Sequence, residues 1–133
     1  MRIAVDIDII TSAILGGPAR HVFFDTSNEF IATAETIKCA KEFCTSLSKD
    51  IGLPKKFLIE TLECIPIKQA SPSLYKGFLK EASRFSKKKS GVLALAMKAG
   101  CLLSYGKWAS GSPVKHVTSR GLLSRYPILI KIE

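Results

Sequence analysis

Arg2 to Ile10, RIAVDIDII, is the stretch on which the fold turns. It is rich in isoleucine and valine and reads as a buried strand. That strand delivers two carboxylates, Asp6 and Asp8, to its carboxyl end, the edge where α/β proteins place their chemistry. Ile9 to Leu15 then reads as a short helix stopped by Gly16, Gly17 and Pro18. Asp8, a short-chain acid just ahead of Ile9, suits that helix as an N-cap.

Downstream, Phe30 to Ala32 has the character of a second strand. Thr33 caps a helix with Glu35 in its first turn and an apolar face of Ile37, Ala40, Cys44, Leu47 and Ile51, up to Gly52. Pro54 opens a helix bearing Phe57, Leu58, Leu62 and Ile65, which Pro66 closes before the extended piece Ile67 to Gln69. Ser71 and Pro72 open the next helix, whose apolar face is Leu74, Phe78, Ala82 and Phe85. Lys76, Lys80, Arg84 and Lys88 recur every four residues on another face and form a basic ridge. Ser90 caps an almost wholly apolar helix through Ala99, with Gly100 as its stop. Cys101 to Ser104 and Val114 to Val117 read as strands, separated by the glycine- and serine-rich loop Gly106 to Pro113. Thr118 or Ser119 caps a turn through Leu123. Strands alternating with helices require crossovers, so the class is α/β: one domain over residues 1–133, with a central, mainly parallel sheet flanked by helices.

Composition narrows the function classes. A chain of 133 residues with 47% hydrophobic and 23% charged content is of ordinary globular size and make-up. Its apolar runs are too short to span a bilayer and its start lacks a signal-peptide pattern, so no membrane partner and a cytoplasmic location are expected. The four cysteines form no C-x-x-C pair and read as reduced core thiols. Twenty basic against eleven acidic residues give a net charge of +9, which favours polyanionic partners.

Three stretches together resemble the PIN domain family of metal-dependent nucleases, which includes the toxins of toxin-antitoxin pairs. VDIDIITSAILGG is similar to the family's opening strand, aspartate and first helix. LALAMKAGCLLS is similar to its apolar helix, glycine and buried strand, and VKHVTSRGLL to its closing strand and capped turn. The resemblance implies a cluster of about four acids that hold magnesium or manganese and activate water against an RNA phosphodiester. Asp6 matches the leading acid, and Asp8 takes a second strand-end position. The remaining acidic positions fall at Lys38 or Cys39, at Lys88 or Lys89, and at Gly106 or Lys107, with Glu35 as a substitute one turn before the first of these.

An ammonium has no lone pair to offer a hard cation. The expectation is therefore a degenerate PIN-like domain without a resident metal, with Asp6 and Asp8 as residual catalytic positions and Asp6 as the metal ligand if there is one. A lysine entering the pocket would pair with these acids as a counterion. Such a domain would act as a module for single-stranded RNA, through Lys76, Lys80, Arg84, Lys88, Lys89 and Lys107, or for a protein partner or a second copy. Tyr105 and Trp108 could stack on an unpaired base. The alternative is a magnesium- or manganese-dependent ribonuclease whose missing acids come from Glu35, Asp8, Asp25, Glu81 or a second subunit. The D-x-D pattern also resembles haloacid-dehalogenase-like phosphatases, but Ile10 stands where that motif wants threonine.

Overall fold

The computed structural model describes residues 2–24, 27–104 and 115–118. Five strands form one sheet: β1 (Arg2–Val5), β2 (Glu29–Ala32), β3 (Ile67–Gln69), β4 (Cys101–Ser104) and β5 (Lys115–Thr118). Their spatial order is β3-β2-β1-β4-β5 and every pairing is parallel. The α/β class with a parallel sheet is thus what the chain adopts. The chain winds from β1 outward to β2 and β3, then returns to lay β4 on the other side of β1. The crevice that such a reversal opens at the carboxyl ends of the strands lies beside β1.

Alternation along the strands divides the core in two. Ile3 and Val5 of β1, Phe30 of β2 and Leu103 of β4 face a layer built from α1 (Ile7–Ile14), the 3-10 segment Pro18–Phe24, α2 (Ala34–Ile51) and α3 (Lys55–Glu63). Ala4, Ile31 and Leu102 face the opposite layer, α4 (Pro72–Tyr75), α5 (Leu79–Phe85) and α6 (Ser90–Ala99). With both faces covered, the central strands β1, β2 and β4 carry mainly apolar residues, as the sequence of β1 suggests, whereas the edge strands β3 and β5 are more polar.

Several boundaries differ from the sequence expectation. The first strand ends at Val5, and Asp6, not Asp8, is the N-cap of a helix that starts at Ile7. The basic ridge is not one helix. The backbone tightens to a 3-10 turn at Lys76–Phe78, resumes as α5, and breaks again at Ser86, so Lys88 lies in the turn before α6. A 3-10 turn advances three residues rather than 3.6, which rotates Lys76 out of register with Lys80 and Arg84. The same break leaves Phe85 half exposed, while Tyr75, not expected in the core, is buried there. Ile51 and Phe57, also expected in the core, are both more than half exposed. Lys89, not Ser90, takes the N-cap position of α6. Cys44 is buried as expected, but Cys39 and Cys64 are exposed. The fifth strand extends to Thr118, one residue beyond the expected Val117, and Val114 lies outside the described residues. Asp25, Tyr105, Gly106, Lys107 and Trp108, and the segment from Ser119 onward, lie outside the described residues. Among the described residues no helix is long and apolar enough to cross a membrane.

Candidate functional site at the carboxyl edge of the sheet

Asp6 is the last residue tied to the centre of the sheet, its backbone N–H donating to the Leu103 carbonyl of β4 at 3.1 Å. There the backbone is extended, with φ −86° and ψ 160°, and the chain turns directly into α1. One carboxylate oxygen, Oδ1, accepts the Ile7 N–H at 2.7 Å and so caps the helix. The other, Oδ2, accepts from the Lys89 ammonium at 2.5 Å. Asp6 is almost fully buried, whereas the Lys89 side chain is 40% exposed, so the lysine enters the crevice from its rim. A charge-assisted bond of this kind is shorter and stronger than a neutral one, and it relieves the cost of burying the carboxylate.

Three helix N-termini meet at this point. Asp6 and Ile7 of α1, Thr33, Glu35, Thr36 and Cys39 of α2, and Lys88, Lys89, Gly91 and Val92 at the start of α6 line one cavity of about 220 Å³. On α2 the cap is local and complete: Thr33 Oγ1 accepts the Thr36 N–H at 3.0 Å and donates to Thr36 Oγ1 at 2.9 Å. α6 lacks a side-chain cap and has no acid in its first turn. Lysines at the positive end of a helix dipole are unfavourable unless a carboxylate answers them. Asp6 supplies that answer across 83 residues of sequence. The turn itself is held by Ser86, whose Oγ accepts the Lys89 N–H at 3.2 Å.

Of the positions singled out in the sequence, Asp6, Glu35, Cys39, Lys88 and Lys89 are brought together. Asp8 sits in the first turn of α1 and Lys38 is exposed on α2; neither lines the cavity. Lys76, Lys80 and Arg84 are exposed and stand away from it, as does Glu81. Thr36, Gly91 and Val92 escaped the sequence reading. The spacing Thr33 to Thr36 was a usable sign for the first, while the α6 residues enter only through tertiary packing.

A divalent cation does not fit this donor set. Both oxygens of Asp6 are engaged, one of them by a positive nitrogen that stands where a cation would bind. Among the described residues no three histidine, cysteine or acidic side chains are placed to hold a metal ion. What the arrangement can do is present positive charge. With Asp6 neutralised, Lys88 and the uncapped start of α6 face the cavity mouth. No protein-family model matches the chain, and no curated protein matches its sequence.

Proposed function

We propose that this chain is a PIN-like domain in which an internal lysine has replaced the catalytic cation, leaving a module that binds single-stranded RNA rather than cutting it. The observation that carries the reading is the Lys89 ammonium on Asp6. It satisfies the buried carboxylate without a metal, so no water is activated and no hydrolytic step follows. Support for an anionic partner comes from the net charge of +9 and from the exposed Lys80 and Arg84, which share a face of α5 at i, i+4 spacing. Exposed Lys88 at the rim of the cavity adds to it. Phosphates would be held by these side chains as point charges, and the cavity that Lys88 borders is also lined by Thr33 and Thr36. The protein acts in the cytoplasm in this reading.

Titration of labelled single-stranded RNA tests it. Three phosphate contacts give a logarithmic salt slope of about −2.1, or about an eighteen-fold weakening between 50 and 200 mM salt. Binding should disappear in the combined variant Lys80→Glu, Arg84→Glu, Lys88→Glu. RNA cleavage in manganese that is abolished by Asp6→Asn would install the ribonuclease alternative instead, with Glu35 as the further acid lining the cavity. Binding that ignores salt and survives charge reversal would leave a protein partner.

A further inference from the structure

The opposite end of the sheet holds a second feature, unrelated to Asp6. Two cavities of about 550 and 400 Å³ lie at the amino-terminal ends of β2 and β3 and share Phe23, Phe24 and Cys64 as lining, so they are two halves of one trough. Its floor is apolar and rigid. Phe23 and Phe30 are both 2% exposed and pack edge to face with ring centroids 5.0 Å apart. Pro66 flanks them. Phe24, the very next residue in the 3-10 segment, is 65% exposed, so a whole aromatic ring stands at the junction of the two halves with no core to enter. Either volume is that of a small-molecule site, roughly 300 to 1,000 Å³.

Charge is unevenly placed along the trough. Arg20 lines the smaller half, its guanidinium lying over Gly16, with Nη1 3.7 Å from where a Cβ would be. Among the described residues Arg20 has no ion-pair partner, and no carboxylate lines that half. At the far end Glu29, the one carboxylate among the described lining residues, is already held by Arg2 and Lys68. An apolar channel whose guanidinium at one mouth has no carboxylate partner among the described residues complements a molecule with an apolar body and a single anionic head.

We propose that this trough binds a monomeric single-chain amphiphile of the fatty-carboxylate class, its head on Arg20 and its chain across Phe24 toward Phe30 and Pro66. The site lies at the other end of the sheet from the Asp6 cavity and stands or falls independently of it.

Calorimetry with dodecanoate, held well below its micelle concentration, tests the proposal on the intact protein. Saturable one-to-one binding is expected, with the largest amide chemical-shift changes at Phe24 and Cys64 and none at Asp6 or Lys89. Phe24→Ser should weaken it about ten-fold or more through lost apolar contact, and Arg20→Gln about ten-fold through loss of the charge-assisted contact. Both side chains are exposed, so their replacement leaves the fold intact, which unchanged thermal melts would verify. Dodecyltrimethylammonium should bind at least ten-fold more weakly. Equal binding of the cationic analogue, heat only near the micelle concentration, or indifference to Phe24→Ser would overturn the proposal. So would co-flotation with phosphatidylglycerol vesicles in the absence of monomer binding, which would make the trough a membrane contact.

Discussion

The two ends of this sheet solve the problem of exposed strand termini in opposite ways. At the carboxyl end, three helix N-termini converge and a buried carboxylate and an ammonium neutralise one another. At the amino end, the last turn of α1 and α3 and the 3-10 segment enclose an aromatic trough with the ion pairs Arg2–Glu29 and Lys68–Glu29 on its rim. Polarity in one place is obligatory, because Asp6 is buried and must be answered. In the other it is optional, because Glu29 is open to water. The lesson concerns where a charge is structural: burial, not the presence of a partner, decides it.

The largest effect should come from the floor of the trough. Phe23→Ala is expected to destabilise the protein by about 3 to 5 kcal/mol in urea unfolding, because a buried aromatic leaves a cavity. Phe24→Ala, one residue along, should stay within about 0.5 kcal/mol. Equal costs would mean that Phe24 has a core partner and that the trough is not open.

At the charged end the cost depends on which partner is removed. Lys89→Met leaves a buried carboxylate with only the Ile7 N–H and should cost about 2 to 3 kcal/mol; water reaching the half-exposed lysine site keeps it below a fully buried pair. Asp6→Asn keeps the cap and removes the ion pair with Lys89, at about 1 kcal/mol. The double variant should be more stable than the sum of the two predicts. Simple additivity would sever the link between the residues.

Much of this architecture could be read in advance, and the exceptions have physical causes. The helix from Thr33 to Gly52 was legible because both its ends are local: Thr33 caps with its own hydroxyl, and Gly52 adopts φ 71°, which a residue with a side chain rarely takes. The end of β1 was not, since IDII is equally apolar as strand or as buried helix and periodicity cannot arbitrate. That ambiguity moved the cap from Asp6 to Asp8. Lys88 and Lys89 before α6 were visible, and so was a counterion role for a lysine that enters the pocket. The choice of Lys89 over Lys88 rests on the turn at Ser86, which the four-residue repeat of basic residues disguised as helix. The aromatic trough left no mark at all, because Phe23 and Phe24 are indistinguishable until the 3-10 turn points them apart.

Thiol chemistry sharpens the contrast between buried and open sites. Burial pushes the Cys44 thiol up from its ordinary range, and its Sγ donates to the Leu58 carbonyl at 3.6 Å. In a Cys101→Ser background, iodoacetamide at pH 8 should modify Cys39 and Cys64 readily and Cys44 only on unfolding. A thiol raised in the fold favours the native state at pH values below its unfolded range. That contribution fades as the pH climbs past it toward the native value. Rapid labelling of Cys44 in the native protein would place it nearer the surface.

The smallest effect belongs to Glu29. Lys68, first by hydrogen bonding and then by charge, holds its carboxyl below the usual glutamate range, with Arg2 adding to this. Any stability from it is present above the unfolded glutamate value and is lost as pH falls through the native one. An NMR titration of Glu29 should show the depressed midpoint, and Lys68→Gln should move it back upward while leaving the urea midpoint almost unchanged. A large stability change would show that the trough rim is more enclosed than described.

The strand order has a consequence for how the chain comes to be folded. β1 precedes the other four described strands in the chain, yet it is the middle of the sheet, and its second neighbour, β4, pairs Leu102 with Ala4 and Leu103 with Val5. Until that late segment arrives, β1 offers a bare hydrogen-bonding edge, and Asp6 lacks both the Leu103 carbonyl and the Lys89 ammonium. The central strand is therefore sealed on its second side only late, through contacts of long sequence separation that form slowly. During synthesis this leaves an open, aggregation-prone edge that nothing in the finished molecule betrays.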